Sequence, residues 1–267
     1  MRREVILRFQ GLKFIVPKET ECFWPYYGIC FVGEYDPILT HISSSDIVVD
    51  AGANIGIFTL LAAKKARTVI AVEPDPENFE YLKENCRLNK AGNVVLINKA
   101  LQNYVGDGFI CGRGLSAALS NKGTPVKVTT IDEIIKELGL NGFDILKMDI
   151  EGAELNALSG DFLDNVRELM VECHDRTSSI IRSKLEAEGF LVSEWNFSSL
   201  KVLKRIIANF RSFVDAELKT HFVATILALK YVCRLSPHPV PAEQSSGIKL
   251  LYATRYRTSA MPKCLHP

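Results

Sequence analysis

Short unbroken apolar runs alternate along this chain with stretches in which apolar residues recur every three or four positions. Ile47–Val49, Thr68–Val72, Val94–Ile97, Asp144–Met148 and Arg167–Val171 read as buried strands. Between and after them lie helical stretches: Ile57 to about Lys65, Glu77–Asn89, Thr130–Leu138 and Ser178–Glu188. In Glu77–Asn89 the residues Phe79, Leu82, Cys86 and Leu88 make one apolar side, and Gly189 is placed to cap the helix before it. Strand, helix and strand in regular succession predict a parallel sheet covered on both faces.

The flanks depart from that rhythm. Val5–Phe9 and Leu12–Val16 predict a hairpin turning at Gln10-Gly11. The aromatic stretch Phe23-Trp24-Pro25-Tyr26-Tyr27-Gly28 fits a loop or lid, or equally a segment packed on the core. Asp36–Ile42 predicts a helix. Asn103 to Pro125, rich in Gly, Ser and Asn, predicts loops with at most a short strand. Phe190–Trp195 is a further strand, and Ile248–Thr254 is expected to pair with it. Leu200–Phe213 and Asp215–Val232, between those strands, predict two amphipathic helices, after which Pro237, Pro239 and Pro241 forbid regular structure.

Composition narrows the class. Hydrophobic residues are 47% and charged residues 24% of the 267, enough for a sizeable core. The 32 basic and 31 acidic residues leave a net charge of +1, so there is no overall field for nucleic acid or an anionic membrane. Cys22, Cys30, Cys86, Cys111, Cys173, Cys233 and Cys264 contain no CxxC pair and are odd in number, which argues against a disulfide framework and for a reducing compartment. Met1 to Gln10 lacks the apolar stretch of a signal peptide. Phe222 to Val232, broken by Thr225 and Lys230, is too short to span a bilayer. The expectation is a soluble, cytoplasmic protein of one domain.

The chemistry concentrates at strand ends. Val48-Val49-Asp50-Ala51-Gly52-Ala53-Asn54-Ile55-Gly56 runs from a strand through a glycine turn into a helix. Gly52 permits a tight turn with a ligand close to the backbone, and Gly56 opens a helix whose first amides favour an anion. The spacing is not that of dinucleotide enzymes, because Ile57 stands where a third glycine is wanted. Glu73, 23 positions after Asp50, ends the next strand where an acid can accept both ribose hydroxyls. A nucleoside that needs no diphosphate follows, and S-adenosylmethionine fits. Asp149 and Glu151, in Lys147-Met148-Asp149-Ile150-Glu151-Gly152-Ala153-Glu154, follow another buried strand. Glu172-Cys173-His174-Asp175 ends the next, where His174 is a candidate general base. Asp149, Glu151, Glu172 and His174 are also metal-ligand types, but no close-spaced ligand pair supports a metal, and none is expected.

Together these segments resemble the FkbM family of S-adenosylmethionine-dependent methyltransferases. The matching residues are Asp50-Ala51-Gly52-Ala53-Asn54-Ile55-Gly56, Ala71-Val72-Glu73-Pro74, Thr130-Ile131-Asp132, Lys147 to Glu154, and Val171-Glu172-Cys173-His174. The resemblance covers about residues 34 to 195, and the Asp-x-Glu-Gly element is its most specific part. It implies a Rossmann-like class I methyltransferase fold: an α/β architecture with a seven-stranded, mostly parallel sheet, an antiparallel last strand and helices on both faces. Residues 1–45 would then be an N-terminal hairpin and aromatic loop, 46–195 the cofactor-binding core, 196–247 a helical insertion and 248–256 the last strand.

The resemblance further implies O-methylation of a hydroxyl on a sugar, glycan or small natural product. Asp50, Gly52, Asn54 and Gly56 would hold the methionine end of the cofactor and Glu73 the ribose, with Asn98 or Leu101 near the adenine. Asp149 and Glu151 would face the methyl group and the acceptor. A hydroxyl acceptor needs a base, for which Asp149 and His174 are candidates, with Glu151 and Glu172 orienting. Trp24, Tyr26 and Tyr27 would either close over the sulfonium or a sugar ring, or simply pack.

Two other readings compete. Tyr81-Leu82-Lys83-Glu84-Asn85-Cys86-Arg87-Leu88-Asn89 resembles archaeal-type tRNA methyltransferases, but acids at Asp149 and Glu151 would repel phosphate. The other reading is a non-catalytic module. In it Lys201, Lys204, Arg205 and Arg211, beside Ile206, Ile207 and Phe210, form a basic amphipathic helix within 200–232 that contacts a partner or a membrane surface.

Overall fold

The structure, a computed structural model, describes residues 4–18, 23–112, 118–174, 177–196, 199–220 and 249–255. β1 (Glu4–Phe9) and β2 (Leu12–Pro17) form the expected hairpin, with Val5 opposite Val16 and Phe9 opposite Leu12. The aromatic stretch is not a loop. It forms α1 (Trp24–Tyr27), started by Pro25 in its first turn, and continues into a π-helical turn over Gly28–Val32. Burial decides this conformation. Tyr26 packs edge-on against Phe14, Tyr27 and Phe31, and Phe31 packs against Phe9 and Phe213. Tyr26 and Tyr27 are therefore core residues, while half-buried Trp24 faces a cavity.

The core follows as α2 (Asp36–His41), β3 (Ile47–Ala51), α3 (Ile57–Ala63), β4 (Thr68–Val72), α4 (Pro76–Leu88) and β5 (Val94–Ile97). The Asp75 side chain caps α4 by accepting from the amides of Glu77 and Asn78. The region expected to be loops holds most of a second sheet. β6 (Ala100–Leu101), β7 (Gly106–Cys111), β8 (Ala118–Ser120) and β9 (Thr124–Thr129) stand in the order β6-β9-β7-β8. Cross-strand pairing, with Ile110 opposite both Thr124 and Leu119, stabilises strands that local composition disfavours.

α5 (Ile131–Glu137), capped by Thr130, leads to β10 (Ile145–Met148), α6 (Glu154–Ala157), β11 (Glu168–Cys173), α7 (Ser178–Ala187) and β12 (Leu191–Glu194). The two helices that follow are α8 (Ser199–Ala208) and α9 (Phe210–Thr220), broken at Asn209 rather than at Val214. The rest of the second expected helix, to Val232, and the three prolines lie outside the described residues. β13 (Lys249–Thr254) closes the fold.

Seven strands make the main sheet in the order β12-β13-β11-β10-β3-β4-β5. β13 runs antiparallel to both β11 and β12, and the other pairings are parallel. All five residues of β3 are buried, as strands covered on both faces must be. Val48 and Val69 join the core formed with the hairpin, α1 and α3. Val49, Ile70 and Leu146 join the core on the other face, with Ile134, Phe162 and Ile181. From β3 the chain steps outward to β4 and β5, then crosses back to β10 on the other side of β3. The carboxyl ends of β3 and β10 therefore flank the switch point where open α/β sheets bind ligands.

Candidate active site

Beyond β3 the chain turns at Gly52, whose backbone is left-handed (φ +77°). A Cβ there would run into the carbonyl oxygen of Asp149, so glycine is required for the β3 and β10 ends to meet. Gly56 is also left-handed and precedes α3. The turn is braced from within. The amides of Gly52 and Ala53 donate to the Val72 carbonyl, Asn54 N–H to Glu73 Oε2 at 2.7 Å, Ile55 N–H to Asn54 Oδ1, and Gly56 N–H to the Ala53 carbonyl. These five amides are thus committed locally, and the turn is a rigid cradle rather than an open anion nest. Buried Asn85 of α4 ties it to the hairpin, donating to the carbonyls of Ile55 and Ile15.

Lys147 lies on the adjacent strand, almost wholly buried. Its ammonium pairs with Asp50 at 3.2 Å, donates to the Gly52 carbonyl at 2.6 Å and sits over the Tyr35 ring. Burial alone would lower its pKa, but Asp50 and Asp149 outweigh that and raise it, so the lysine stays charged. Asp50 also accepts from Thr59. Glu73 receives a second amide, from Asp75, and burial pushes its carboxyl up to about 7.

A cluster of acids gathers beyond β10 and β11. The Tyr35 hydroxyl stands between Asp149 (3.5 Å) and Glu172 (3.3 Å). His174 contacts Glu154 through Nδ1 at 2.9 Å, and its Nε2 lies 3.4 Å from Glu151 and 3.9 Å from Glu172. Burial, then the charge of Asp149, pushes Glu172 up to about 8 and Glu151 up to about 7. Glu34 rises to about 8 from burial and the charges of Glu172 and Asp149. Burial would lower His174, but the hydrogen bond and charge of Glu154, with Glu151, raise it to about 9. Glu151 holds a left-handed backbone (φ +55°), strain of about 1–3 kcal/mol that clusters at functional sites. Asp149, Glu172 and His174 each bring a ligand-type atom within 4.8 Å of the others, while Glu151 is outside that group. Both ring nitrogens of His174 already face acids.

The cradle and the acids share one cavity of about 390 Å³. Gly52, Asn54 and Glu73 line it, as do Glu34, Tyr35, Lys147, Asp149, Glu151, Glu172 and His174. Ala100, Leu101, Ile110 and Leu119 give it an apolar end. Asp50 and Gly56, expected to hold the cofactor's methionine end, are not part of the wall, and neither is Asn98. It is exposed and donates to the carbonyls of Glu73 and Pro74, holding the turn that carries Glu73. Sequence reasoning missed Glu34, Tyr35, Lys147 and Glu154. Lys147 left a signal as a lysine inside an apolar strand, and Glu154 as the last acid of the Lys147–Glu154 segment.

His174 makes a pH prediction. Its folded pKa of about 9 lies above the unfolded value of about 6.5. Its stabilisation is therefore fully present below pH 6.5 and lost as pH rises through 9. The melting-temperature difference between wild type and His174→Gln should shrink between pH 6.5 and 9, and a difference constant over that window would contradict the ion-paired assignment.

Known proteins share these segments. A family model described as the methyltransferase FkbM domain matches residues 50–192, more than half of the chain. The chain is 29% identical over 172 residues to the hexuronic acid methyltransferase AglP of Haloferax volcanii, covering 61% of this chain and 71% of that protein. It is 36% identical over 86 residues to a tRNA (guanine(37)-N(1))-methyltransferase of Batrachochytrium dendrobatidis, 30% of this chain but 18% of that one. Against the crystal structure of a FkbM methyltransferase from Methylobacillus flagellatus KT the identity is 22% and the TM-score 0.46. That match covers 59% of this chain and 41% of the solved one. The family match begins at Asp50 and runs through Glu73, Asp149 and His174, so the chain belongs to the FkbM family of S-adenosylmethionine-dependent methyltransferases.

Proposed function

We propose that this chain methylates a hydroxyl group of a sugar, glycan or similar small molecule. One observation carries the reading: a glycine cradle with a ribose-type acid and a cluster of near-neutral carboxyls open into the same cavity. The residues fit S-adenosylmethionine. Gly52 puts bare backbone at the cavity wall, Glu73 retains lone pairs for ribose hydroxyls, and Leu101, Ile110 and Leu119 offer an apolar end to a purine. When bound, that cofactor supplies an electrophilic methyl group.

The protein's own part is positioning and proton removal. Gly52 and Asn54 line one end of the cavity, so that an acceptor held at the acids is aligned for in-line transfer. The acceptor hydroxyl loses its proton to the Asp149–Glu172 pair, whose Glu172 titrates near 8, close to the operating pH. His174, held cationic by Glu154 and Glu151, orients that pair rather than acting as the base. Trp24 lines the same cavity and presents a flat apolar face to a sugar ring.

The name of the Haloferax relative supports a sugar acid as acceptor. The tRNA enzyme's partial match, over 18% of that protein, supports a second reading. The test pairs calorimetry with transfer assays. S-adenosylhomocysteine should bind the wild type, and Glu73→Ala should weaken it by roughly 10–100-fold, the worth of charge-assisted hydrogen bonds. Labelled methyl should pass to uronic acid glycosides and not to tRNA. Transfer to tRNA alone would replace this reading with the second.

A further inference from the structure

We propose that α8 and α9 lie flat on an anionic lipid surface. Asn209 joins them into an almost continuous helix, donating its amide to the Arg205 carbonyl while Phe213 N–H donates to its own. The inner face of this helix is committed to the fold. Val202 and Ala216 are buried, Phe213 packs on Phe31, and Arg205 pairs with Asp36 and donates to the Cys30 carbonyl.

The opposite face is apolar and uncovered. Leu200, Leu203, Ile207, Phe210, Val214 and Leu218 recur at spacings of three and four and so share one side. All but Val214 are more than half exposed, at 60%, 53%, 65%, 61% and 67%. The inner face is already anchored, so the helix cannot turn to bury them, and such a stripe marks an interaction surface.

Charge selects the occupant. Lys201, Lys204 and Arg211 each directly follow a stripe residue and are exposed. Among the described residues none of the three has an acidic partner. Of the acids nearby, Asp36 is neutralised by Arg205 and Asp215 by Lys219 at 2.7 Å, and Glu217 is buried. An apolar stripe flanked by exposed bases without acidic partners is the signature of an interfacial helix on an anionic leaflet. A second copy of the chain would set bases against bases. Among the described residues no helix is long and apolar enough to cross a membrane, so the contact is along the surface. This inference does not depend on the identity of the methyl acceptor.

The experiment is flotation of the full chain with two kinds of vesicle, phosphatidylcholine alone and phosphatidylcholine mixed with phosphatidylserine. Three bases predict binding roughly a hundredfold stronger on the anionic vesicles, falling with added salt. Lys204→Glu with Arg211→Glu should remove that preference. Leu203→Glu with Ile207→Glu should abolish flotation, while S-adenosylhomocysteine binding in both variants stays at the wild-type level. Equal binding to both vesicles, or flotation surviving the double glutamate variant, would overturn the proposal. So would a dimer in sedimentation that Ile207→Glu dissolves, because the stripe would then belong to a second copy.

Discussion

Replacing Lys147 with methionine should lower the unfolding free energy by about 3–5 kcal/mol, the penalty for stranding one member of a buried ion pair. Asp50 is fully buried and Lys147 is 3% exposed, so the ammonium is the charge that compensates the carboxylate there. Thr59 would remain as the hydroxyl donor to Asp50. Burial already raises the Asp50 pKa, with Lys147 the strongest force opposing it, so removing the lysine raises it further. The variant should then lose stability as pH rises above the usual aspartate range, because the unfolded chain ionises Asp50 freely and the folded one does not. Adding Asp50→Asn should recover much of the loss, since the pair is then gone from both sides. Urea denaturation at neutral pH reads both. A loss under about 1 kcal/mol would mean that solvent screens the pair as it screens surface pairs.

Glu172→Gln should cut turnover by about 10²–10⁴-fold, the range for a lost general base, while S-adenosylhomocysteine affinity changes only a few-fold. Glutamine keeps the shape and still accepts from Tyr35 but cannot take a proton. The wild-type rate should rise with pH toward 8, where Glu172 ionises, and fall above 9, where His174 loses the charge that orients it. The variant should lose the rising limb alone. Single-turnover rates across pH 6–10 separate these outcomes, and an unchanged profile would move the base to Asp149.

The sheet was legible because its strands are apolar on both sides, and Val48-Val49 or Val69-Ile70-Ala71-Val72 has no other stable home. The cradle was legible for the same reason. Asp50, Gly52 and Glu73 are fixed relative to strands that sequence alone places. Tyr35 and Glu34 were not, because they reach the acids from 114 or more positions away and only the packing of α2 on the sheet brings them there. The small sheet escaped because Gly106-Asp107-Gly108 carries no strand propensity. Lys127 opposite Asp107, at 2.6 Å, and Pro125 opposite Phe109 are cross-strand facts. The aromatic stretch escaped because Pro and Gly signal a turn locally, whereas four rings meeting edge-on inside the core outweigh that signal.

β13 imposes an order on synthesis. It fits between β11 and β12, and Lys249 bonds Glu194 across 55 positions of chain. On the ribosome, β11 and β12 emerge with their facing edges open until the nascent chain reaches Thr254. At ordinary elongation rates that wait is roughly 3–12 s. During it β11, with Leu169 and Val171, is an edge strand, paired with β10 on one side only. The interval is where a chaperone would be needed and where premature termination would leave a sticky, half-built sheet.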